Sequence, residues 1–79
     1  MKKPPLLNLN EFLEIRGNTR LLAEGFGKMT EYGSEKIVLQ GKNFTLTVKG
    51  KKLTMHYLSG EKIAVQGYIR GVEYEPNHS

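Results

Sequence analysis

The side chains in this sequence that could do chemistry are few, and they do not converge. All eight acidic residues are glutamates, aspartate and cysteine are absent, and the two histidines, His56 and His78, lie far apart. Two histidines without cysteine or aspartate match no metal-ligand set, so no metal site is expected. Ser34, Ser59 and Ser79 fall in turns or the tail, and none sits in the strand-to-helix elbow that exposes a nucleophile. Glu73 and Glu75 share a face if they lie on a strand, which permits paired-carboxylate acid–base work. Glu11 and Glu14 are a second close pair. For both pairs a solvated edge is the simpler use. Gly25-Phe26-Gly27-Lys28 lacks the remaining spacing and the following helix of a phosphate loop. The expectation is therefore no catalytic residue, no cofactor-binding residue, no metal ligand and no enzyme.

Binding chemistry is better represented. Lys49, Lys51 and Lys52 form a basic cluster able to touch phosphate or anionic lipid, though lysines there also keep an edge soluble. Tyr57, Tyr68 and Tyr74 with Phe44 would stack on bases if exposed, but Phe44 falls on the face expected to turn inward. The net charge of +4 includes Lys2 and Lys3; from Leu6 to Pro76 ten Lys/Arg face eight Glu. Both signs are interspersed, unlike the basic stripe of a dedicated nucleic-acid binder.

These groups must be positioned by strands. From Glu35 to Leu58 apolar residues alternate with period two: Ile37 and Leu39, then Phe44, Leu46 and Val48, then Leu53, Met55 and Tyr57. Successive side chains leave a strand on opposite faces, so this is the pattern of half-buried strands. Lys49-Gly50-Lys51-Lys52 reads as a tight hairpin turn between two of them. Before this stretch, a strand ends at Gly17, Gly17-Asn18 turns, Thr19 to Glu24 returns, and Gly25-Phe26-Gly27 breaks or bulges the pairing. Lys28 to Tyr32 continues as strand, and Tyr32-Gly33-Ser34-Glu35 turns. After it, Ser59-Gly60 turns the chain, and strands follow at Glu61–Gly67 and Tyr68–Glu75, with a bulge near Arg70-Gly71.

The fold class expected is all-β: a small antiparallel sheet of about 6–7 short strands, as a meander, curled sheet or sandwich-like arrangement. Residues 1–8 read as a flexible lead interrupted by Pro4-Pro5, 9–76 as a single β domain and 77–79 as a tail. Seventy-nine residues build one small core, worth on the order of 3–5 kcal/mol net. With no disulfide available, self-association is the expected supplement. The apolar run after Lys2-Lys3 is only Leu6-Leu7, too short for a signal peptide, and nothing approaches a membrane span. A pattern of apolar-x-apolar-polar-Gly recurs at Leu13–Gly17, Ile37–Gly41 and Ile63–Gly67, which suggests repeated hairpins.

Taken together, Ile15-Arg16-Gly17-Asn18, Leu21-Leu22-Ala23-Glu24, Tyr32 and Glu35-Lys36-Ile37-Val38-Leu39 resemble the opening half of the YabP/YqfC family of sporulation proteins. Gly50-Lys51-Lys52-Leu53-Thr54-Met55, Leu58, Glu61 to Gly67 and Ile69-Arg70-Gly71-Val72-Glu73-Tyr74 continue the likeness. It covers roughly residues 13–75, and the YqfC-like half of the family fits better. One departure is Gly25-Phe26, where YqfC-type relatives tend to carry Asn-His. The resemblance implies a non-enzymatic cytoplasmic protein of endospore-forming bacteria, made in the mother cell and acting around the forespore or its coat. It also implies a membrane-associated sporulation protein as partner.

Open sheet edges suggest how such a protein binds: an edge strand extends its sheet into a second copy or a partner, a homo-oligomer in the first case. The expected recognition surface is Phe26 with Tyr68, Arg70 and Tyr74 of the last strand. The alternative is a small OB- or Sm-like β-barrel binding RNA or single-stranded DNA, which lacks support from the thin positive excess. Anchoring to anionic membrane through Lys49, Lys51, Lys52 and the Lys2-Lys3 lead is a third reading.

Overall fold

A computed structural model describes residues 11–58 and 60–77. The expected lead at 1–8, Ser59 and the tail residues 78–79 lie outside the described residues. Within them the chain forms six strands: β1 (Phe12–Arg16), β2 (Arg20–Glu24), β3 (Lys28–Tyr32), β4 (Lys36–Gln40), β5 (Phe44–Tyr57) and β6 (Lys62–Pro76). All pairings are antiparallel. The order across the sheet is β1-β2-β6-β5-β4-β3, so the sheet is open and ends in β1 and β3. It is not a closed OB- or Sm-like barrel.

The all-β expectation holds, but the strands differ in length from those expected. Lys49-Gly50-Lys51-Lys52 is no hairpin turn; it lies inside the 14 residues of β5, and β5 pairs with β6 on both sides of it. The sequence does carry a break there, because the inward positions change parity from Leu46 and Val48 to Leu53 and Met55. A turn and a bulge leave the same slip in a sequence. Here the register on β6 shifts between Lys49 and Gly50 and between Lys51 and Thr54, which makes the slip a bulged segment. On β6 the partners pass from Ile69 to Gly71 and skip Arg70, where the bulge was expected. Glu61–Gly67 and Tyr68–Glu75 are thus one strand.

The bulges bend the long β5–β6 hairpin, and each half gathers a short hairpin. β2 pairs with the first half of β6, setting Leu21 against Val65 and Ala23 against Ile63. β4 pairs with the first half of β5, setting Ile37 against Val48 and Leu39 against Leu46. These eight side chains are at most 2% exposed and belong to one cluster with Phe26, Leu53 and Ile69. The two halves therefore face each other across a shared core. Burial of each large aliphatic side chain is worth about 1.5–3 kcal/mol.

The arrangement repeats. Arg20–Gly25, Lys36–Gly41, Thr45–Gly50 and Lys62–Gly67 all read polar-apolar-x-apolar-polar-Gly, and each supplies one core pair. Two instances expected from the sequence, at Ile37 and Ile63, belong to this set. The third, at Leu13, lies on β1 and is only partly buried. The β1–β2 and β3–β4 hairpins also dock alike. Asn18 and Thr19 carbonyls accept from the N–H groups of Ile69 (2.7 Å) and Gly67 (3.2 Å); Ser34 and Glu35 carbonyls accept from Leu53 (2.8 Å) and Gly50 (3.1 Å).

Gly50 and Gly67 lie in the bulged part of the β5–β6 pair, where the backbones leave no room for a Cβ. A Cβ on Gly50 would collide with the Tyr68 carbonyl, and one on Gly67 with that of Lys52. Gly71, by contrast, has open space around its missing Cβ. We expect Gly50→Ala to cost about 1–3 kcal/mol, lowering Tm by roughly 5–20 °C. Gly71→Ala should stay within about 0.5 kcal/mol of the parent. Thermal unfolding followed by circular dichroism checks both; equal effects would contradict the close approach.

Candidate functional site

Glu11, just before β1, is 1% exposed. Its carboxylate crosses to the β4–β5 turn, accepting from the backbone N–H of Asn43 (2.6 Å) and Phe44 (3.0 Å) and from Asn43 Nδ2 (3.4 Å). The turn needs these acceptors because a buried N–H left unpaired costs free energy. Gly41 makes room for the carboxylate, which a Cβ there would strike. On the other side Asn77 N–H donates to the Asn43 carbonyl (2.8 Å) and its Nδ2 to that of Gly41 (3.0 Å), while Thr45 Oγ1 donates to Asn77 Oδ1. Asn77 is therefore part of the folded domain and not a tail. Glu11 is a brace, neither a surface residue nor half of a carboxylate pair.

Beside this brace the Tyr74 ring stacks on Phe44, with centroids 4.6 Å apart and planes 11° apart, and meets Phe26 edge-on at 6.4 Å. The Tyr74 hydroxyl is buried and has no hydrogen-bond partner among the described residues. Burial, and secondly the negative charge of Glu11, push its pKa above the ordinary 10.0. The phenol is thus held neutral where solvent does not reach it.

The four residues expected to form a recognition surface are divided by the fold. Phe26 is fully buried; it follows β2 and drops into the core, so it cannot meet a partner while the domain stays folded. Tyr74 is half-buried in the aromatic stack. Tyr68, at 58% exposure, and Arg70 remain at the surface of β6, beyond the reach of β2. Lys49, Lys51 and Lys52 are all exposed, but they run along the bulged segment of β5 and do not crown a hairpin tip. Lys49 also pairs with Glu73 at 3.2 Å. His56 is exposed on β5, and among the described residues no three His, Cys, Asp or Glu side chains gather to hold a metal.

Apolar side chains are exposed on the long strands, where Tyr57 of β5 is 68% exposed, and also at both ends of the sheet. Phe12 and Ile15 on β1 are 49% and 46% exposed, and Met29 and Tyr32 on β3 are 37% and 53% exposed. Each of these strands is hydrogen-bonded to one neighbour in the sheet. Sequence reasoning anticipated unpaired edges in general but did not single out β1 and β3.

The model of the YabP family matches residues 8–79. The chain belongs to the YabP family. The match spans both hairpins and the whole of β5 and β6, so the family pattern covers the bent sheet and its two end strands. Membership is consistent with a sporulation-related protein. No curated protein and no solved structure matches the chain. No helix among the described residues is long and apolar enough to cross a membrane.

Two substitutions test the brace and the stack in this YabP-family domain. Glu11→Ala leaves the amides of Asn43 and Phe44 without their acceptor and should cost about 1–3 kcal/mol. Tyr74→Phe keeps the ring and removes the unpartnered hydroxyl, so at neutral pH it should be neutral or stabilising. Because the folded pKa of Tyr74 is raised, its contribution is intact below the unfolded value of 10.0 and is lost as pH climbs beyond it. Urea titrations at neutral and alkaline pH should show Tyr74→Phe losing less stability with rising pH than the parent. Parallel losses would contradict the buried phenol.

Proposed function

We propose that this chain is a non-catalytic structural and interaction protein of sporulation. It works in the mother cell at the forespore periphery, binding itself or a membrane-associated sporulation protein by adding strands to its sheet edges. The observation that carries this reading is the pair of end strands, which among the described residues are paired on one side only and present backbone groups and apolar side chains on the other. In such docking the backbone supplies affinity and alternate side chains supply register. The separate placement of His56, Glu73 and Ser34 among the described residues supports a binding role over a catalytic one. Family membership supports the sporulation setting.

The test is genetic and microscopic. A fluorescent fusion in a sporulating host should gather around the forespore on the mother-cell side. Ile15→Lys on β1 and Tyr32→Lys on β3 place a charge on each edge, a device that blocks strand addition. At least one of them should disperse the fusion and reduce the yield of heat-resistant spores, while His56→Ala and Glu73→Gln leave both unchanged. A diffuse fusion with normal spore yield, or a defect confined to His56 and Glu73 variants, would overturn the proposal.

A further inference from the structure

The two end strands are not equally ready to pair. On β3 the register with β4 shifts between Met29 and Glu31, and a bulge is one of the ways proteins protect an edge. β1 pairs with β2 over five consecutive positions without a break, and it contains no proline. Its sequence, Phe12-Leu13-Glu14-Ile15-Arg16, also carries one charge of each sign on either side of Ile15.

We infer that a second copy of this chain docks antiparallel on β1, with a two-fold axis through Ile15. This rests on the edge docking proposed above and names its occupant. A two-fold axis perpendicular to the sheet keeps the inner faces of both copies on the same side, so one residue must lie on the axis. Glu14 or Arg16 on the axis would set like charges directly opposite each other, which is destabilising. Leu13 on the axis would set Phe12 against Glu14. Ile15 on the axis sets each Glu14 opposite Arg16 of the other copy, and Ile15 opposite itself.

Three features of the monomer fit this register. Ile15 lies on the inner face, directly opposite the buried Leu21, so meeting its copy covers the open end of the core. Glu14 and Arg16 lie on the outer face, where they already form an ion pair of 3.2 Å within one chain. Arg16 sits opposite Arg20 on β2, an unfavourable pairing of like charges; Glu14 of the second copy would flank Arg16 on its free side.

The absence of cysteine makes a direct test available. Opposed residues in an antiparallel pair bring their Cβ atoms to about 4.5–5.5 Å, near the span of a disulfide. The full chain carrying Ile15→Cys, treated with the thiol oxidant diamide, should form a covalent dimer readily, whereas Thr30→Cys on β3 should couple far more slowly. By sedimentation, Glu14→Arg alone and Arg16→Glu alone should each weaken self-association about tenfold. The double swap should restore it, with unchanged circular dichroism in every case. Faster coupling at Thr30→Cys, or a double swap that fails to restore association, would overturn the register. A chain that stays monomeric and uncoupled would overturn self-docking. If Ile15→Lys still disperses the fusion in cells, docking on β1 then belongs to another protein; if neither edge variant acts, both readings fall.

Discussion

The inner face of this sheet has to change sides partway along its two longest strands, and the rest of the structure follows from how that happens. A strand with strict alternation sends every second side chain to one face over its whole length. In β5 the inward set moves from Leu46 and Val48 to Leu53 and Met55, and in β6 from Ile63 and Val65 to Val72 and Tyr74. Bulges absorb the change at the same level of the hairpin, so both halves of each strand turn apolar residues into one cluster. Without that slip, one half of the hairpin would present its apolar face to water. The close approach of backbone at Gly50 and Gly67 is a consequence, since a bend this tight brings the strands together where a Cβ would not fit.

Around this bent centre the short hairpins act as two similar lids. Each uses a pair of aliphatic residues to complete its half of the core, and each is tied at its turn by two backbone hydrogen bonds to a long strand. The rim is closed by Glu11, Asn77 and the stack of Phe44, Tyr74 and Phe26. The buried polar groups serve the fold, and the binding role proposed above rests on the strands at either end of the sheet. A small core of this size leaves little surplus stability, and pairing at an edge would supplement it while performing the binding.

Much of the architecture is legible in the sequence, and what is not has a definite cause. Period-two alternation locates the four short strands, β1 to β4, but divides each of the long strands β5 and β6 in two, and the glycines at Gly17 and Gly33 mark the turns of both short hairpins. The Lys49–Lys52 segment misleads because a bulge and a hairpin turn leave the same parity slip and favour the same polar, glycine-containing residues. The repeat is half visible: Ala23 is a small residue in a core position, so the Leu21 instance looks weaker than the partly buried one at Leu13. Phe26 lies between two glycines and follows no alternation, which gives no hint that it is buried. Glu11 had no signal at all. A carboxylate that braces backbone amides 32 and 33 residues away is identified only once the chain has folded.

The account as a whole holds that β5 and β6 run unbroken through their bend while β1 keeps one side free. Residue-resolved amide hydrogen exchange on a dilute sample measures both properties at once. Slow exchange on β5 and β6 on each side of the bulges, with the amides of Gly50, Leu53, Gly67 and Ile69 protected and alternate amides of β1 exchanging fast, is the predicted result. Uniformly fast exchange from Lys49 to Leu53, as in a solvent-exposed hairpin loop, or full protection of β1 in the dilute chain, would contradict it.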